Sequence, residues 1–336
     1  MISMNSKIKH FKYTSSLSGF IQEHVAEKRA LGVLFNTDAK ILQNFDRYVL
    51  SWDGGTATTI TQELADSYSK RRPNEGVAYQ LLRIKTVNKL SSYMIRNGID
   101  AYMIPNEKMP RKKESFTPYI FTDEQIERIF KAADTISKST SNRHQGIVAP
   151  VFFRMLYSTG MRISEISNLC FCDIDTNTNV IRIRHAKFNK QRLIPMSQSL
   201  AKICHNYIEK MMPVAADMDA PFFPNGRNTF YEETAIYNLF RKIIWKAGIS
   251  HGGKNAGPRL HDFRHTFAVH CLRNWSVQNA DLTAALPYLS AYMGHTGLQQ
   301  TQKYLRLTAD IYPELVERLS QEFGYIIPSV ESRSTI

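Results

Sequence analysis

The stretch NEKMPRKKESFTPYIFTDEQ, residues 106–125, constrains the fold most, because helical periodicity fails across it and resumes on both sides. Its two prolines fix φ and remove backbone donors. Its basic cluster, Arg111, Lys112 and Lys113, could lie along a polyanion or simply keep a linker solvated. The chain is therefore expected to fold as two parts: a module over residues 1–108, a linker over 109–121, a second domain over 122–326 and a tail over 327–336. At 336 residues there is enough chain for each part to bury a core of its own.

The first part reads as all-helical. TDAKILQNFDRYVLSW begins at a plausible cap, Thr37, and repeats Ile41, Leu42, Phe45, Tyr48 and Val49 at helical spacing. TITQELADSYSKRR predicts a second helix stopped by Pro73. EGVAYQLLRIKTVNKLSSYMIRNG predicts a third, with Val77, Leu81, Ile84, Val87, Leu90 and Met94 inward and Gly98 as its stop. Lys70, Arg71, Arg72, Arg83, Lys85, Lys89 and Arg96 decorate these helices. Residues 1–115 hold 18 Lys and Arg against 11 Asp and Glu, an accumulation that favours phosphate contacts.

The second part opens at Thr122-Asp123, a good helix cap. VAPVFFRMLYSTG is an apolar helix closed by Gly160, and RISEISNL starts another. NVIRIRHAKFNKQRLIPM alternates in the manner of a β-hairpin with a basic tip, and ETAIYNLFRKIIWKAG is helical to Gly248. The expected fold class is mainly α with a small β-hairpin: an all-α module followed by an α+β domain. The end, DIYPELVERLSQEFGYIIPSV, aligns Ile311, Leu315, Val316, Leu319 and Phe323 on one helical face, for packing on its own domain or on a neighbouring protomer.

No run of 18 apolar residues occurs, and the N-terminus lacks the apolar core of a secretory signal, so a cytoplasmic protein is expected. Cys170, Cys172, Cys204 and Cys271 have neither redox nor zinc spacing and are expected to be buried thiols. The formal net charge of +13 points to a polyanionic partner, most simply nucleic acid.

RLHDFRHTFAVH, residues 259–270, offers two chemistries. His261 and His265 stand four apart, as zinc ligands on a helix do; His261 and Arg264 stand three apart, as two groups gripping one phosphate could. The zinc option lacks a Glu between the histidines, where Asp262 stands, and lacks a third ligand. It also leaves Arg162, Lys187 and Tyr304 without work. The phosphate option employs them all. Two guanidiniums can hold the non-bridging oxygens of a phosphodiester, a tyrosine hydroxyl can attack phosphorus, and a lysine or histidine can protonate the departing sugar oxygen. That set needs no metal or other cofactor. His265 and His270 are expected to pack or hydrogen-bond on their helix.

The ordered set Arg162, Lys187, His261, Arg264, His295 and Tyr304 resembles the tyrosine recombinase, or phage integrase, family, which includes the Xer and Cre recombinases. TGMRISEISNL, HDFRHTFA and MGHTGLQQTQKYLRL match its three boxes, with Glu165 three residues after the first arginine and nine residues from His295 to Tyr304. The resemblance covers about 120 to 310 and extends by character to the helical module, which is similar to the family's SAM-like core-binding domain. It implies a two-domain clamp on double-stranded DNA, without a further arm-binding domain ahead of residue 10. It also implies a 3′-phosphotyrosyl intermediate on Tyr304. Arg162 and Arg264 would hold the phosphate, Lys187 would be the general acid, His261 would take the tyrosine's proton, and His295 would add a hydrogen bond. The family's lysine often lies between glycines, whereas Lys187 does not, so Lys190 competes for its role. A homotetramer on synapsed sites is implied, from protomers that can be monomeric in solution, with accessory DNA-bending or directionality proteins as further partners. The long stretch between Arg264 and His295 resembles transposon-borne members and points to a mobile element. A type IB topoisomerase shares the chemistry, and a non-catalytic DNA-binding relative would share the charge.

Overall fold

The computed structural model describes residues 8–54, 56–111, 117–137, 142–184, 191–213, 215, 217–253, 257–295 and 297–312. Those up to residue 111 form one compact unit and those from 117 onward a second.

The first unit contains α1 (Ser18–Ala30), α2 (Asn36–Asp53), α3 (Gln62–Ser69) and α4 (Val77–Arg96). Leu17, Ile21, Leu42, Phe45, Leu64, Ile84, Val87, Leu90 and Met94 share its core. The periodicity did not single out α1, since its large apolar residues are few: Phe20, Ile21 and Val25 in thirteen positions. Helix α2 starts a residue before Thr37, with Phe35 at φ 52° turning the chain into it. The inner face of α4 is buried from Ile84 to Met94, while Val77 and Leu81 are half-buried. Arg83 departs from expectation: it is wholly buried, not a surface decoration. Its Nε and Nη2 donate to the two Glu75 carboxylate oxygens at 2.9 and 2.8 Å, and it also donates to the carbonyls of Tyr68 and Lys70. A buried guanidinium is tolerated because each side of its fork is met by a carboxylate or carbonyl.

In the second unit, the Thr122 hydroxyl and the Gln125 side chain close a reciprocal cap on α5 (Asp123–Asp134). The chain then forms α6 (Gln145–Thr159) and the single turn α7 (Ile163–Ile166). An antiparallel sheet follows, in the order β1 (Ile174–Asp175), β2 (Val180–Ile183), β3 (Arg192–Pro195). Ile181 pairs with Ile194 and Ile183 with Arg192, so Ile181, Ile183 and Ile194 all face the core. The expected hairpin is thus the β2–β3 pair; β1, at two residues, is too short to carry an alternation. The hairpin tip, with Lys187 and Lys190, lies outside the described residues. Helices α8 (Gln198–Met211) and α9 (Glu233–Lys246) complete the main core.

Helices α10 (Asp262–Val277), α11 (Leu282–Met293) and α12 (Gln299–Ile311) pack around a second cluster: Ala268, Val269, Leu272, Leu282, Leu286, Leu289, Met293, Tyr304 and Leu305. The end of the expected linker belongs here too. Phe121 is fully buried in the second unit, and its N–H donates to the Thr266 hydroxyl at 3.0 Å. Of the cysteines, Cys170 and Cys204 are buried as expected, whereas Cys172 and Cys271 are half-buried. The helix expected beyond Tyr312 lies outside the described residues. Among the described residues no helix is long and apolar enough to cross a membrane.

Candidate active site

Two helix C-termini make the arginine site. Helix α6 ends at Gly160 and α11 at Gly294, both in the left-handed region at φ 56° and 66°. Such ends leave carbonyls without helical partners at the negative pole of the helix. Arg264, only 2% exposed on α10, donates through Nη1 to the Gly160 carbonyl and through Nη2 to the Met293 carbonyl, each at 2.7 Å. Arg162, at the start of α7, donates through Nη2 to the Gly294 carbonyl at 2.9 Å. Burial and, next, the nearby Arg162 charge press Arg264 down to about 10. It remains a cation at neutral pH.

Glu165 ties this site to the sheet. Arg192 on β3 grips it bidentately at 2.9 and 2.8 Å, Arg162 Nη1 donates to it at 2.9 Å, and so does the Arg162 backbone N–H at 2.9 Å. Burial alone would raise this carboxyl, but Arg192 and Arg162 outweigh it and hold it at about 2. Arg192 also donates from Nε to the Tyr292 carbonyl at 2.9 Å. It was not singled out in the sequence; the available signal was its place on the return strand of the lysine hairpin.

Tyr304 on α12 is 5% exposed. Its phenol is raised by burial, against the opposing pull of the Arg264 and Arg162 charges. The ring of His295 stacks on it at 6.0 Å and 16°, while His295 Nδ1 bonds the Thr301 hydroxyl at 2.8 Å. The hydroxyl itself meets His265 Nδ1 at 3.1 Å. His261 keeps an exposed edge, and its ring meets that of His265 at 4.9 Å and 82°. Desolvation first, then the neighbouring positive charges and histidines, lowers His261 and His295 to about 4 and His265 to about 3. All three imidazoles are neutral at physiological pH.

The structure thus brings together Arg162, Arg264, His261, His295 and Tyr304, and adds His265, Arg192 and Glu165. Lys187 falls in the hairpin tip outside the described residues. Among the described residues no cluster of three His, Cys, Asp or Glu side chains forms a metal-binding group.

Two guanidiniums beside a buried tyrosine hydroxyl form a donor set able to grip a phosphate next to a nucleophile. Comparison with known proteins narrows this reading. The model of the phage integrase family matches residues 120–310. The chain is 26% identical to y4rB, a candidate integrase/recombinase of Sinorhizobium fredii (strain NBRC 101917 / NGR234), over 90% of this chain and 96% of that protein. It is 31% identical to tyrosine recombinase XerC of Chlamydia caviae, over 67% of this chain and 66% of that one. In fold it is similar to the XerH site-specific recombinase in a post-cleavage complex with its palindromic difH substrate. The TM-score is 0.63 at 19% identity, over 91% of this chain and 84% of that chain. The chain belongs to the phage integrase family and is a site-specific tyrosine recombinase.

Proposed function

We propose that Tyr304 attacks a DNA phosphodiester, forming a 3′-phosphotyrosyl link and releasing a 5′-hydroxyl. Arg162 and Arg264 hold the non-bridging oxygens and His295 adds a hydrogen bond, while the family resemblance gives the tyrosine's proton to His261. A hairpin lysine, Lys187 or its competitor Lys190, protonates the departing 5′-oxygen. The observation that carries this assignment is the burial of the Tyr304 hydroxyl beside Arg264 and Arg162, the charges that oppose its desolvation. Pre-placed donors at the position where charge develops lower a barrier without reorganising during the reaction.

Both units bind duplex DNA, and four protomers synapse two sites, with accessory proteins setting direction. The role is in DNA integration and rearrangement of a mobile element inside the cell. Covalent trapping in EDTA tests the chemistry. Nicked duplexes tiling the DNA that flanks the gene are incubated with wild type and Tyr304→Phe, then denatured. A protease-sensitive protein–DNA band from wild type alone is expected; the same band from Tyr304→Phe refutes the nucleophile. Loss of cleavage in Lys187→Ala that is restored by a 5′-phosphorothiolate, whose sulfur departs unprotonated, assigns the general acid; the same rescue in Lys190→Ala assigns the other lysine.

A further inference from the structure

The geometry points to His265 as the group that receives the Tyr304 proton during attack, a task the family resemblance assigns to His261. The inference rests on Tyr304 being the nucleophile. The neighbours of Tyr304 leave few candidates. Arg264 and Arg162 are cations with no lone pair to accept a proton. His295 lies flat against the phenol face, and its Nδ1 is engaged by Thr301. His261 packs T-shaped against the His265 ring, at 4.9 Å and 82°. His265 Nδ1 stands 3.1 Å from the Tyr304 oxygen, with the rings 5.6 Å apart and tilted by 50°, so the nitrogen rather than the ring face addresses the hydroxyl. His265 sits directly after Arg264 on α10, and the residue that fixes the phosphate therefore also fixes the base.

With its proton on Nε2, neutral His265 accepts the Tyr304 hydroxyl hydrogen bond at Nδ1. As the bond from the tyrosine oxygen to phosphorus forms and the bond from phosphorus to the 5′-oxygen breaks, the phenolic proton passes to Nδ1. The 5′-oxygen takes its proton from the hairpin lysine. Religation runs the same transfers backwards: the 5′-hydroxyl returns its proton to the lysine as it attacks, and Nδ1 returns its proton to the departing phenolate. The buried phenol, raised above its ordinary value, does not ionise unaided; His265, held low by burial and by the positive groups around it, gains basicity when the negative charge of a bound phosphodiester offsets them.

The test is the single-turnover rate of covalent complex formation on a nicked duplex that wild type cleaves. His265→Asn keeps an acceptor near the Nδ1 position but cannot carry a proton, and His265→Ala removes both functions. Each is expected to slow the step by about 10²-fold or more, with DNA affinity and melting temperature unchanged for His265→Asn. Installing the more acidic 3,5-difluorotyrosine at position 304 should recover much of that loss, because its proton leaves without help; a residue that only packs gives no such recovery. A wild-type rate in His265→Asn, or a defect that the fluorinated phenol leaves untouched, overturns the inference. A covalent product from Tyr304→Phe instead overturns the nucleophile assignment, so the two failures are distinct.

Discussion

At the scale of the residue, Glu165 shows how one buried carboxylate can order two arginines of the candidate site. Its side chain is 1% exposed, and it accepts from Nη1 and Nη2 of Arg192 as well as from Arg162. Replacing one member leaves the others buried without a counter-charge, a change that costs about 3–5 kcal/mol. Glu165→Gln should therefore lower stability to urea by that order and slow covalent complex formation through a wandering Arg162. The pH dependence has a definite sign. Because the folded carboxyl is held near 2 rather than its ordinary 4.5, its contribution is present above about 4.5 and disappears as pH falls toward 2. The stability gap between wild type and Glu165→Gln should narrow across that window, as chemical denaturation at stepped pH would reveal; a gap constant to pH 2 would refute the ion-pair account. The spacing of Arg162 and Glu165 was legible because both lie in one box. Arg192 was not, since its partners are 27 and 100 residues away in the chain, and no local pattern records such contacts.

At the scale of the element, the site is built from helix ends. The carbonyls of Gly160, Met293 and Gly294 reach the two arginines because α6 and α11 stop there, and each stops in a left-handed glycine. A side chain at φ near 60° costs about 1–2 kcal/mol by itself. At Gly160 there is a second cost: a Cβ would lie 2.3 Å from Phe267 Cδ1, whose ring stacks on Tyr292 at 5.6 Å. Gly54, which closes α2 at φ 69°, has nothing within 4 Å of an added Cβ. Gly160→Ala should thus destabilise by clearly more than Gly54→Ala and impair cleavage, whereas Gly54→Ala should leave cleavage intact. Thermal melting and single-turnover kinetics on the pair would check this, and equal melting shifts would refute the steric contribution. The stop at Gly160 was read as a glycine after an apolar run, whereas α11 and its stop at Gly294 were not singled out. What the sequence did not disclose is that the two ends face the same point, a property of packing rather than of period. Short elements were equally hidden: β1 has two residues, and α1 too few large apolar positions to declare a face.

At the scale of the whole molecule, the net charge of +13 signals a polyanion without saying which cations meet it. The seven basic residues first assigned to the helical surface of the N-terminal unit divide into different physical kinds. Arg83 is wholly buried and bound to Glu75, so it belongs to the fold. Lys85, Lys89 and Arg96 instead line an open hollow on α1 and α4 together with Lys28, which was not among the seven; Lys89 there pairs with Asp38, and Arg96 and Lys28 with Glu27. Counterion release separates these roles experimentally. If about six to ten phosphates are met, affinity should fall roughly 10³–10⁵-fold between about 50 and 200 mM salt. Lys85→Gln should lower the slope of log affinity against log salt by about one and leave melting unchanged. Arg83→Ala should leave Glu75 buried and unpaired and cost about 3–5 kcal/mol, with DNA binding lost only where the unit unfolds. At saturating DNA, by contrast, the covalent step should depend little on salt, since Arg264 is buried and already held by two helix-end carbonyls. Fluorescence anisotropy across a salt series, paired with single-turnover cleavage at saturation, would measure both. An Arg83→Ala protein that melts like wild type but binds with a reduced salt slope would return Arg83 to the DNA-facing surface and refute its structural role.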